Sequence, residues 1–586
     1  MNKKDWYNMQ KSILGAITLL AWMPLAGQPQ REDAAIAADV VIDKPVMRWL
    51  WGGFGFHNSE ATMTPMMSEE FRDQRVLKTF REISPTYARV FAGYWDWTQE
   101  AMDRFADYYD ATFRQAGTTL YLAPGRMPPI TEDFDPDAYA EAVASRLEYL
   151  VKKRKCVKIR YYTASNELSV GSTYAWFRSH WDVYVKVMKS LHRAFARHGL
   201  DIGLMASDAS GFDNLETIDW SMRDLNDVTD TYCWHLYTKP VGMPGCPEIG
   251  DPKMCKELYS ALTNYVRICL GKEKRLSFGE FGVSAKKDFH KGPMCNDCGT
   301  GFNYSAAGAG LAAMQRVEMG LCAMNAGCVS AASWTFCDYP DPFLREDGDS
   351  PEEKKRYEVA RFSGHGLNIR YNKWGLFRWD DENRDYSSYP DLYAMGYLVK
   401  LFRKGARVLV STTRDPSLRV GAVTNPDGSC SIVVINWGGR KNVRIANAHS
   451  VDKPYRRYVY DSANPPFNEF NDLQPMSGTV EARDGIVAAE LPAKSITFLT
   501  TDYEDRVPAS VKDVKVADGR LTWTPANDPD HCYYRVYKDG KQIASTVATS
   551  LDIVGLHSVS AANGTNPVLP AFSVRCVDKW GNEGLE

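Results

Sequence analysis

Segments typical of strands alternate with segments typical of helices between residues 46 and 340, and this alternation limits the fold more than any other feature. Amphipathic helical patterns occupy stretches such as 136–154, 173–198 and 304–326. Because parallel strands joined by helices follow right-handed crossovers, the pattern predicts an α/β fold, a (β/α)8 TIM barrel over 46–385. The runs expected to form its strands are 46–55, 88–97, 118–125, 158–166, 201–208, 228–237, 274–281 and 329–338.

The chain beyond the barrel is predicted to be mostly β-structure. A helix is expected over 388–404, and seven short strand-like runs separated by turn residues follow up to residue 500. We interpret 386–505 as a β-sandwich, for which a run at 38–45 is a candidate further strand.

A third, small unit is predicted at 507–586. Its short alternating strands and the lone Trp523 resemble a fibronectin type III module, a small β-sandwich. Trp523 is expected in its core, while stacking of Trp523 or Trp580 on a sugar is the alternative. A bridge between Cys532 and Cys576 is a candidate disulfide.

Residues 1–27 have the features of a secretory signal peptide. Two lysines near the N-terminus precede an apolar stretch at 13–26, and small and polar residues follow it. The stretch is short for a membrane span, so an uncleaved anchor is the weaker alternative. The sequence thus predicts a secreted, periplasmic or cell-surface protein whose mature chain is not inserted in a membrane.

The cysteines leave a structural and a metal-binding interpretation open. Thirteen cysteines fit an exported protein with some disulfides, and nine of them lie between Cys233 and Cys337. Loop disulfides are the preferred interpretation, because zinc binding would need four residues of which the first pair has poor ligand spacing. Those four residues are Cys246, Cys255, Cys295 and Cys298.

Composition argues against partners of strong charge. The formal net charge is −3, which gives no reason to expect nucleic acid or an anionic membrane as a partner. Aromatic residues make up 12% of the chain, and they stack on sugars as well as filling cores.

Two glutamates at the ends of predicted strands indicate the chemistry. Glu167 follows the fourth run in Asn166-Glu167, and Glu280 lies in the seventh run between Gly279 and Phe281. The C-terminal strand ends of a TIM barrel carry its active site. Cleavage of a glycosidic bond with retention needs an acid and a nucleophilic carboxylate roughly 5 Å apart. Such proximity also separates their pKa values, because one ionised carboxylate makes the other harder to ionise.

With these residues the barrel resembles clan A of the retaining glycoside hydrolases and is similar to families 5, 30 and 39. Families 30 and 39 also carry a β-sandwich. The resemblance implies that Glu167 is the acid/base, that Glu280 is the nucleophile and that Asn166 binds the sugar 2-hydroxyl. It implies a carbohydrate substrate and no metal or organic cofactor.

The same resemblance assigns four supporting residues. Arg89 would support the nucleophile, Tyr237 would donate a hydrogen bond to it, and His235 would contact the sugar or the carboxylates. Trp334 would form the floor of the subsite where cleavage occurs. The alternative for each is an ordinary structural role in the barrel.

Further residues near the predicted strand ends are weaker candidates. Trp51 and Trp95 are candidates to line sugar subsites, as are Phe54, His57 and Trp97, although each is equally suited to packing. Arg126, Lys239 and Asp208 are candidates to recognise a charged or polar substituent.

The sequence therefore predicts a secreted retaining glycoside hydrolase that cleaves β-glycosidic bonds of a poly- or oligosaccharide by double displacement. One alternative is a non-catalytic carbohydrate-binding scaffold on a degenerate barrel, and another is a transglycosylase with the same residues. A zinc hydrolase built on the cysteine cluster is a third. Long loops at 239–256 and 285–304 favour a partly closed site, but endo and exo action stay open.

Overall fold

The structure, a computed structural model, describes thirteen ranges of the chain. These are 39–46, 49–92, 97–124, 133–211, 214–238, 252–283, 306–340, 371–372, 374–381, 383–449, 453–476, 478–554 and 571–585. The signal peptide predicted for residues 1–27 lies outside them. Within these ranges, no helix combines the length and the apolar character needed to cross a bilayer.

Eight parallel strands close into a barrel, as the sequence predicts. A first strand, β1 (Val40–Pro45), precedes the barrel. The second strand pairs with both the third and the ninth, which closes the circle. The barrel strands are β2 (Phe54–His57), β3 (Tyr87–Phe91), β4 (Thr119–Ala123), β5 (Ile159–Tyr162), β6 (Gly203–Ser210), β7 (Thr229–Thr238), β8 (Arg275–Val283) and β9 (Ala331–Ser333).

Helices between the strands bury their apolar faces against the barrel. Side chains of Thr98 and Asp135 accept backbone hydrogen bonds in the first turns of two of them, which fixes where these helices begin. The longer helices are α1 (Leu77–Ile83), α2 (Gln99–Ala111), α3 (Pro136–Glu148), α4 (Gly171–Ser179), α5 (Trp181–Arg197), α6 (Glu216–Asp224), α7 (Pro252–Leu270), α8 (Ala306–Ala326) and α9 (Pro390–Leu401). Shorter helical turns are Ser59–Thr62, Thr64–Met66, Glu69–Phe71, Arg72–Val76, Phe113–Ala116 and Tyr149–Lys153.

A layer of buried side chains fills the barrel interior. It is formed by Tyr87, Tyr121, Met205, Cys233 and Ala332 from five different strands. Because side chains alternate along a strand, the residues two positions further on enter the next layer, towards the C-terminal mouth.

Two β-bulges change which residues enter that upper layer. One extra residue lies in β6 between Ala206 and Ala209, and another lies in β8 between Phe278 and Glu280. A bulge reverses the alternation of side chains beyond it, so Asp208 and Glu280 turn into the barrel. Gly279 is required at the second bulge, because a Cβ there would lie 2.2 Å from the Sγ atom of Cys233.

The predicted sandwich is a single ten-stranded sheet that curls on itself. Besides β1, its strands are β12 (Arg407–Thr413), β13 (Leu418–Thr424), β14 (Cys430–Asn436), β15 (Lys441–Asn447), β16 (Tyr455–Asp461), β17 (Thr479–Val480), β18 (Ala482–Arg483), β19 (Ile486–Leu491) and β20 (Ser495–Thr500). Their order in the sheet is β17-β16-β20-β14-β13-β12-β1-β15-β19-β18, so β1 lies between strands that follow the barrel in sequence. Asn447 and Tyr455 lie on strands six positions apart in that order, yet their side chains are 3.0 Å apart. A separate pair joins β10 (Tyr339–Pro340) and β11 (Tyr371–Asn372).

The two faces of this sheet pack into different hydrophobic cores. Along β14, Ile432 and Val434 face the inside of the curl, whereas Val433 and Ile435 join the core of the barrel. Glu318 of α8 accepts hydrogen bonds from Arg419 (2.6 Å) and Trp437 (2.8 Å) of the sheet. The sheet is therefore fixed to the barrel by both apolar and charged contacts.

The last unit consists of two three-stranded antiparallel sheets around a small core. Trp523 lies in that core with 5% of its surface exposed, as the sequence predicts. The disulfide expected between Cys532 and Cys576 is wrong: both are buried thiols, and Cys532 faces α1 while Cys576 faces the core. The strands are β21 (Lys512–Ala517), β22 (Arg520–Thr524), β23 (His531–Lys538), β24 (Lys541–Thr546), β25 (Ser550–Asp552) and β26 (Phe572–Asp578).

A buried ionic network joins this last unit to the barrel and the sheet. The ammonium group of Lys78 on α1 lies 2.7 Å from carboxylate oxygens of both Glu82 and Asp472. Asp472 also accepts a hydrogen bond from Arg535 (3.0 Å), and the Lys78 ammonium lies 4.8 Å from the Tyr533 ring centroid. The Lys78 ammonium therefore neutralises Glu82 of the barrel and Asp472 of the sheet region, and it also lies against the ring of Tyr533 in the last unit.

Lys78→Met should lower the free energy of unfolding by about 3 kcal/mol, because it leaves Glu82 and Asp472 buried with less counter-charge. Urea unfolding followed by tryptophan fluorescence measures the loss, and limited proteolysis shows whether 507–586 is released. Lys152→Met is the matched control, since Lys152 pairs with Glu148 on the surface and should contribute less than about 1 kcal/mol. Equal losses in the two variants would contradict the role given to the network.

Candidate active site

A buried arginine lies at the centre of the barrel mouth. Arg89 of β3 has no exposed surface. One of its terminal nitrogens contacts Glu280, and the other donates hydrogen bonds to Asn166 (2.7 Å) and Asp208 (2.9 Å). The first nitrogen also lies 3.4 Å from Nδ1 of His57, whose pKa is lowered well below its ordinary value by burial and by Arg89. The guanidinium thus contacts side chains from four other segments of the barrel.

Glu280 is held from both of its carboxylate oxygens. Its side chain is only 4% exposed, and Tyr237 donates a 2.7 Å hydrogen bond to the oxygen that Arg89 does not contact. Burial raises the pKa of Glu280, while Arg89, His235 and the Tyr237 hydroxyl favour its ionised form. These contacts fix the carboxylate and provide the charge that allows it to ionise inside the barrel.

Glu167 is the accessible carboxylate of the site. Its side chain is 25% exposed, and its backbone is in the left-handed region with φ of 52°. The loop that holds it is pinned to the end of β6 by Ser169, whose hydroxyl donates to the Ser210 carbonyl (2.7 Å) and accepts from the Ser210 amide (2.8 Å). A strained residue held this firmly is typical of a functional position.

The two glutamates face each other across the mouth. One oxygen of each, together with a ring nitrogen of His235, forms a set in which all atoms lie within 4.8 Å of one another. Nδ1 of His235 is 3.4 Å from Glu167 and 3.8 Å from Glu280. The arrangement brings a buried carboxylate and a half-exposed carboxylate to opposite sides of one small space.

Aromatic rings form the walls beside the carboxylates. Trp334 is half-buried after β9, with its ring 4.1 Å from that of His57. The ring of Trp374 lies 5.5 Å from Tyr237, so it adds a second half-buried indole beside Glu280. Trp374 was not among the predicted site residues, because it stands alone in a segment of the sequence with no strand or helix pattern.

The structure brings together seven of the nine predicted site residues. They are Arg89, Asn166, Glu167, His235, Tyr237, Glu280 and Trp334. Trp95 lies outside the described residues, as do the weaker candidates Arg126 and Lys239.

The assignment of Trp51 as a sugar-binding residue is wrong. Trp51 precedes β2 and is therefore at the N-terminal end of the barrel, and only 2% of its surface is exposed. It packs against Phe54 with ring centroids 4.8 Å apart, and its backbone pairs with Gly405 and Ala406. Phe54, His57 and Trp97 are buried as well, and Asp208 is enclosed rather than available to a substituent.

The charged groups of the site are already paired with one another. Among the residues that the structure describes, two sets of side chains have donor atoms close enough for a metal ion: Asp208, Cys233 and His235, and Glu167, His235 and Glu280. Both sets include His235, and the carboxylates of both lie beside Arg89 or His235. Three of the four cysteines considered for zinc lie outside the described residues, and the side chain of Cys255 is not described.

The fold is similar to those of solved glycoside hydrolases, at low sequence identity. AbfB, a family 51 α-L-arabinofuranosidase from Bifidobacterium longum, has a TM-score of 0.54 at 13% identity over 79% of this chain and 99% of that chain. An endo-β1,6-glucanase has a TM-score of 0.51 at 15% identity over 81% and 96%. The catalytic domain of a family 30 xylanase C from Talaromyces cellulolyticus has 0.50 at 14% over 79% and 99%.

These likenesses show a TIM-barrel fold shared with glycoside hydrolases, family 30 among them. No protein-family model matches the sequence. The fibronectin type III resemblance of the last unit stays a prediction.

A further buried carboxyl lies next to this site without belonging to it. Glu60, in the turn after β2, is fully buried and accepts hydrogen bonds from Asn58 (2.7 Å) and Tyr108 (2.8 Å) on one oxygen. Burial raises the pKa of Glu60 to about 7, although these two donors favour its ionised form. Glu60 is therefore protonated in the folded protein at pH values where an exposed glutamate is ionised.

Glu60→Gln should remove a pH dependence of stability. The raised pKa of Glu60 means that the folded state holds a proton that the unfolded state releases, so wild-type stability falls as pH rises from about 4.5 to 7. Between pH 5 and pH 8, the free energy of unfolding of the variant should rise by up to about 3 kcal/mol relative to that of the wild type. Thermal unfolding of both proteins at the two pH values measures this, and a difference that stays constant would contradict it.

Proposed function

We propose that this chain is a secreted retaining glycoside hydrolase that cleaves β-glycosidic bonds of a poly- or oligosaccharide. One observation carries the proposal: Glu167 and Glu280 present oxygens within 4.8 Å of each other at the C-terminal mouth of the barrel. Retaining enzymes need carboxyl groups roughly 5 Å apart, whereas inverting enzymes need a wider gap that admits a water molecule. Export is supported by the apolar stretch at 13–26.

In this proposal Glu280 is the nucleophile. It is buried, held on both oxygens and flanked by Arg89 and His235, so its carboxylate is presented in one fixed direction. Attack on the anomeric carbon forms a glycosyl ester with Glu280 and expels the leaving oxygen. Arg89 and Tyr237 hold the carboxylate in place and favour the ionised form that attacks.

Glu167 would serve as acid and then as base. Its greater exposure suits a group that first protonates the leaving oxygen and then takes a proton from the incoming water. Asn166 accepts a hydrogen bond from Arg89 through its side-chain oxygen, which turns its amide protons away from Arg89. Those protons would bind the 2-hydroxyl of the sugar.

Carbohydrate would bind between the aromatic walls. Trp334 and Trp374 are both half-buried beside the carboxylates, and indole faces stack on the apolar faces of sugar rings. The solved glycoside hydrolases of similar fold include a xylanase, an endo-β1,6-glucanase and an α-L-arabinofuranosidase, so the fold does not identify the sugar or the linkage.

A screen of the purified protein beside Glu280→Ala tests the activity itself. The panel contains xylans, β1,6- and other β-glucans, aryl β-glycosides and an aryl α-L-arabinofuranoside. Sugar release that depends on Glu280 supports the proposal and identifies the substrate. Products longer than the substrate favour a transglycosylase, and tight binding of one glycan without release favours a binding scaffold.

Glu280→Ala should lower kcat roughly 10⁴-fold or more, because no group remains to form the covalent intermediate. Azide should partly restore turnover by entering the space left by the carboxylate, giving a glycosyl azide of inverted configuration, which NMR identifies. Glu60→Gln is the matched control for loss of a buried carboxyl and should retain turnover at pH 6. Full activity of Glu280→Ala would contradict the assignment.

Glu167→Ala should slow substrates in proportion to how poor their leaving groups are. Dinitrophenolate departs without being protonated, so the first step on a dinitrophenyl glycoside should change little. The kcat/KM for an alkyl glycoside or a glycan should fall by about 10²- to 10⁴-fold. Steady-state rates over a series of leaving groups measure this. An equal loss on every substrate would count against Glu167 as the acid.

A further inference from the structure

Asp208 is a buried carboxylate that the proposed reaction does not use. It has no exposed surface, so it cannot contact a substrate. One oxygen accepts a 2.8 Å hydrogen bond from Tyr121 and lies 3.0 Å from Nε2 of His235. The other accepts a 2.9 Å hydrogen bond from Arg89. Three strands thus supply donors to one carboxylate directly beneath the candidate site.

The backbone of β6 is distorted where Asp208 enters the barrel. Ser207 and Asp208 both have positive φ, 66° and 35°, within the bulge between Ala206 and Ala209. The Ser207 hydroxyl donates to the carbonyl of Cys233 (3.0 Å), which fixes the bulge to the neighbouring strand. Left-handed backbone at two successive residues other than glycine is costly, and such strain persists where a side chain must be aimed in one direction.

Both ring nitrogens of His235 face carboxylates. Nε2 lies 3.0 Å from Asp208, and Nδ1 lies 3.4 Å from Glu167 and 3.8 Å from Glu280. A neutral imidazole has one N–H group and one lone pair, so one neutral tautomer would direct its lone pair at Asp208 and the other would direct it into the gap between Glu167 and Glu280. Only the doubly protonated ring donates in both directions.

We propose that Asp208 is a positioning residue that holds His235 as an imidazolium, with its Nδ1–H directed into the gap between Glu167 and Glu280. The charge of His235 then lies beside the two groups that, in the proposed function, exchange a proton and attack the sugar. The role of Asp208 in the reaction rests on that proposed function, but the protonation state of His235 does not.

The surroundings of His235 agree with a charged ring. Although burial opposes the charged form, Asp208 and Glu280 raise the pKa of His235 well above its ordinary value. Cys233 lies 3.6 Å from Nε2, and its own pKa is raised to about 12 by burial, so it remains a neutral thiol. The other charged or titratable groups around the ring are Glu167, Arg89 and His57.

Nitrogen-15 NMR of histidine-labelled protein tests the proposal without any substrate. The His235 signals are assigned by their loss in His235→Gln. In the wild type both ring nitrogens should carry protons from pH 5 to pH 8, and a neutral ring at pH 7 overturns the proposal even if Asp208→Asn does not fold. In Asp208→Asn, which keeps the shape and one acceptor oxygen, His235 should titrate at a pH lower by at least about one unit.

Tyr121→Phe is the matched control. It removes a hydrogen bond from the same carboxylate but leaves the charge, so His235 should remain protonated over the same range. A loss of the His235 proton in both variants would show that packing, and not the Asp208 charge, sets the state of the ring. That result would overturn the proposal.

Kinetics separate this inference from the proposed function. On a substrate that the wild type hydrolyses, Asp208→Asn should lower kcat at least about tenfold with KM changed less than about twofold, because Asp208 orients groups of the site without touching substrate. An unchanged kcat beside a shifted His235 titration would refute the positioning role. If the wild type hydrolyses nothing, the proposed function fails, while the NMR result still decides the link between Asp208 and His235.

Discussion

The guanidinium of Arg89 is a charge with no access to water, and the mouth of the barrel is built to neutralise it. A buried cation is tolerated only with counter-charges and satisfied hydrogen bonds, and removing a partner of such a group typically costs about 3–5 kcal/mol. Glu280 and Asp208 supply the charges, and Asn166 supplies a further acceptor. The rings of Phe91 and Tyr121 lie 4.9 and 5.3 Å from the guanidinium carbon. The groups that would carry the chemistry are thus the same groups that make the buried charge stable.

This dependence explains why the sequence predicted much of the site. Alternating strands and helices place polar residues at successive strand ends, and a barrel brings those ends together. The order of the strands alone is therefore enough to predict that Arg89, Glu167 and Glu280 lie close together. The prediction is wrong where it depends on the residue at which a strand begins. The run 46–55 predicts a strand, but β2 starts at Phe54, so Trp51 lies at the opposite end of the barrel.

The bulges account for what could not be predicted. An extra residue in a strand reverses the facing of every residue after it and leaves no compositional signal. Asp208 therefore looked like a polar residue near a strand end, whereas the bulge in β6 turns it inward to Arg89 and His235. At the second bulge, Gly279 is the residue that fits the distortion, because its close approach to Cys233 excludes any side chain. A glycine in a strand does not by itself predict a bulge at that position.

Strand β1 has a consequence for how the chain is made. It is synthesised before the barrel, but both of its partners, β12 and β15, are synthesised after it. On the ribosome, its hydrogen-bonding edges cannot pair with β12 until the roughly 360 residues between β1 and β12 have been made. The barrel thus lies within a long closed loop, and contacts this distant in sequence form slowly. Both edges of β1 can therefore be covered only after residues 407–447, in the last third of the chain, have been made.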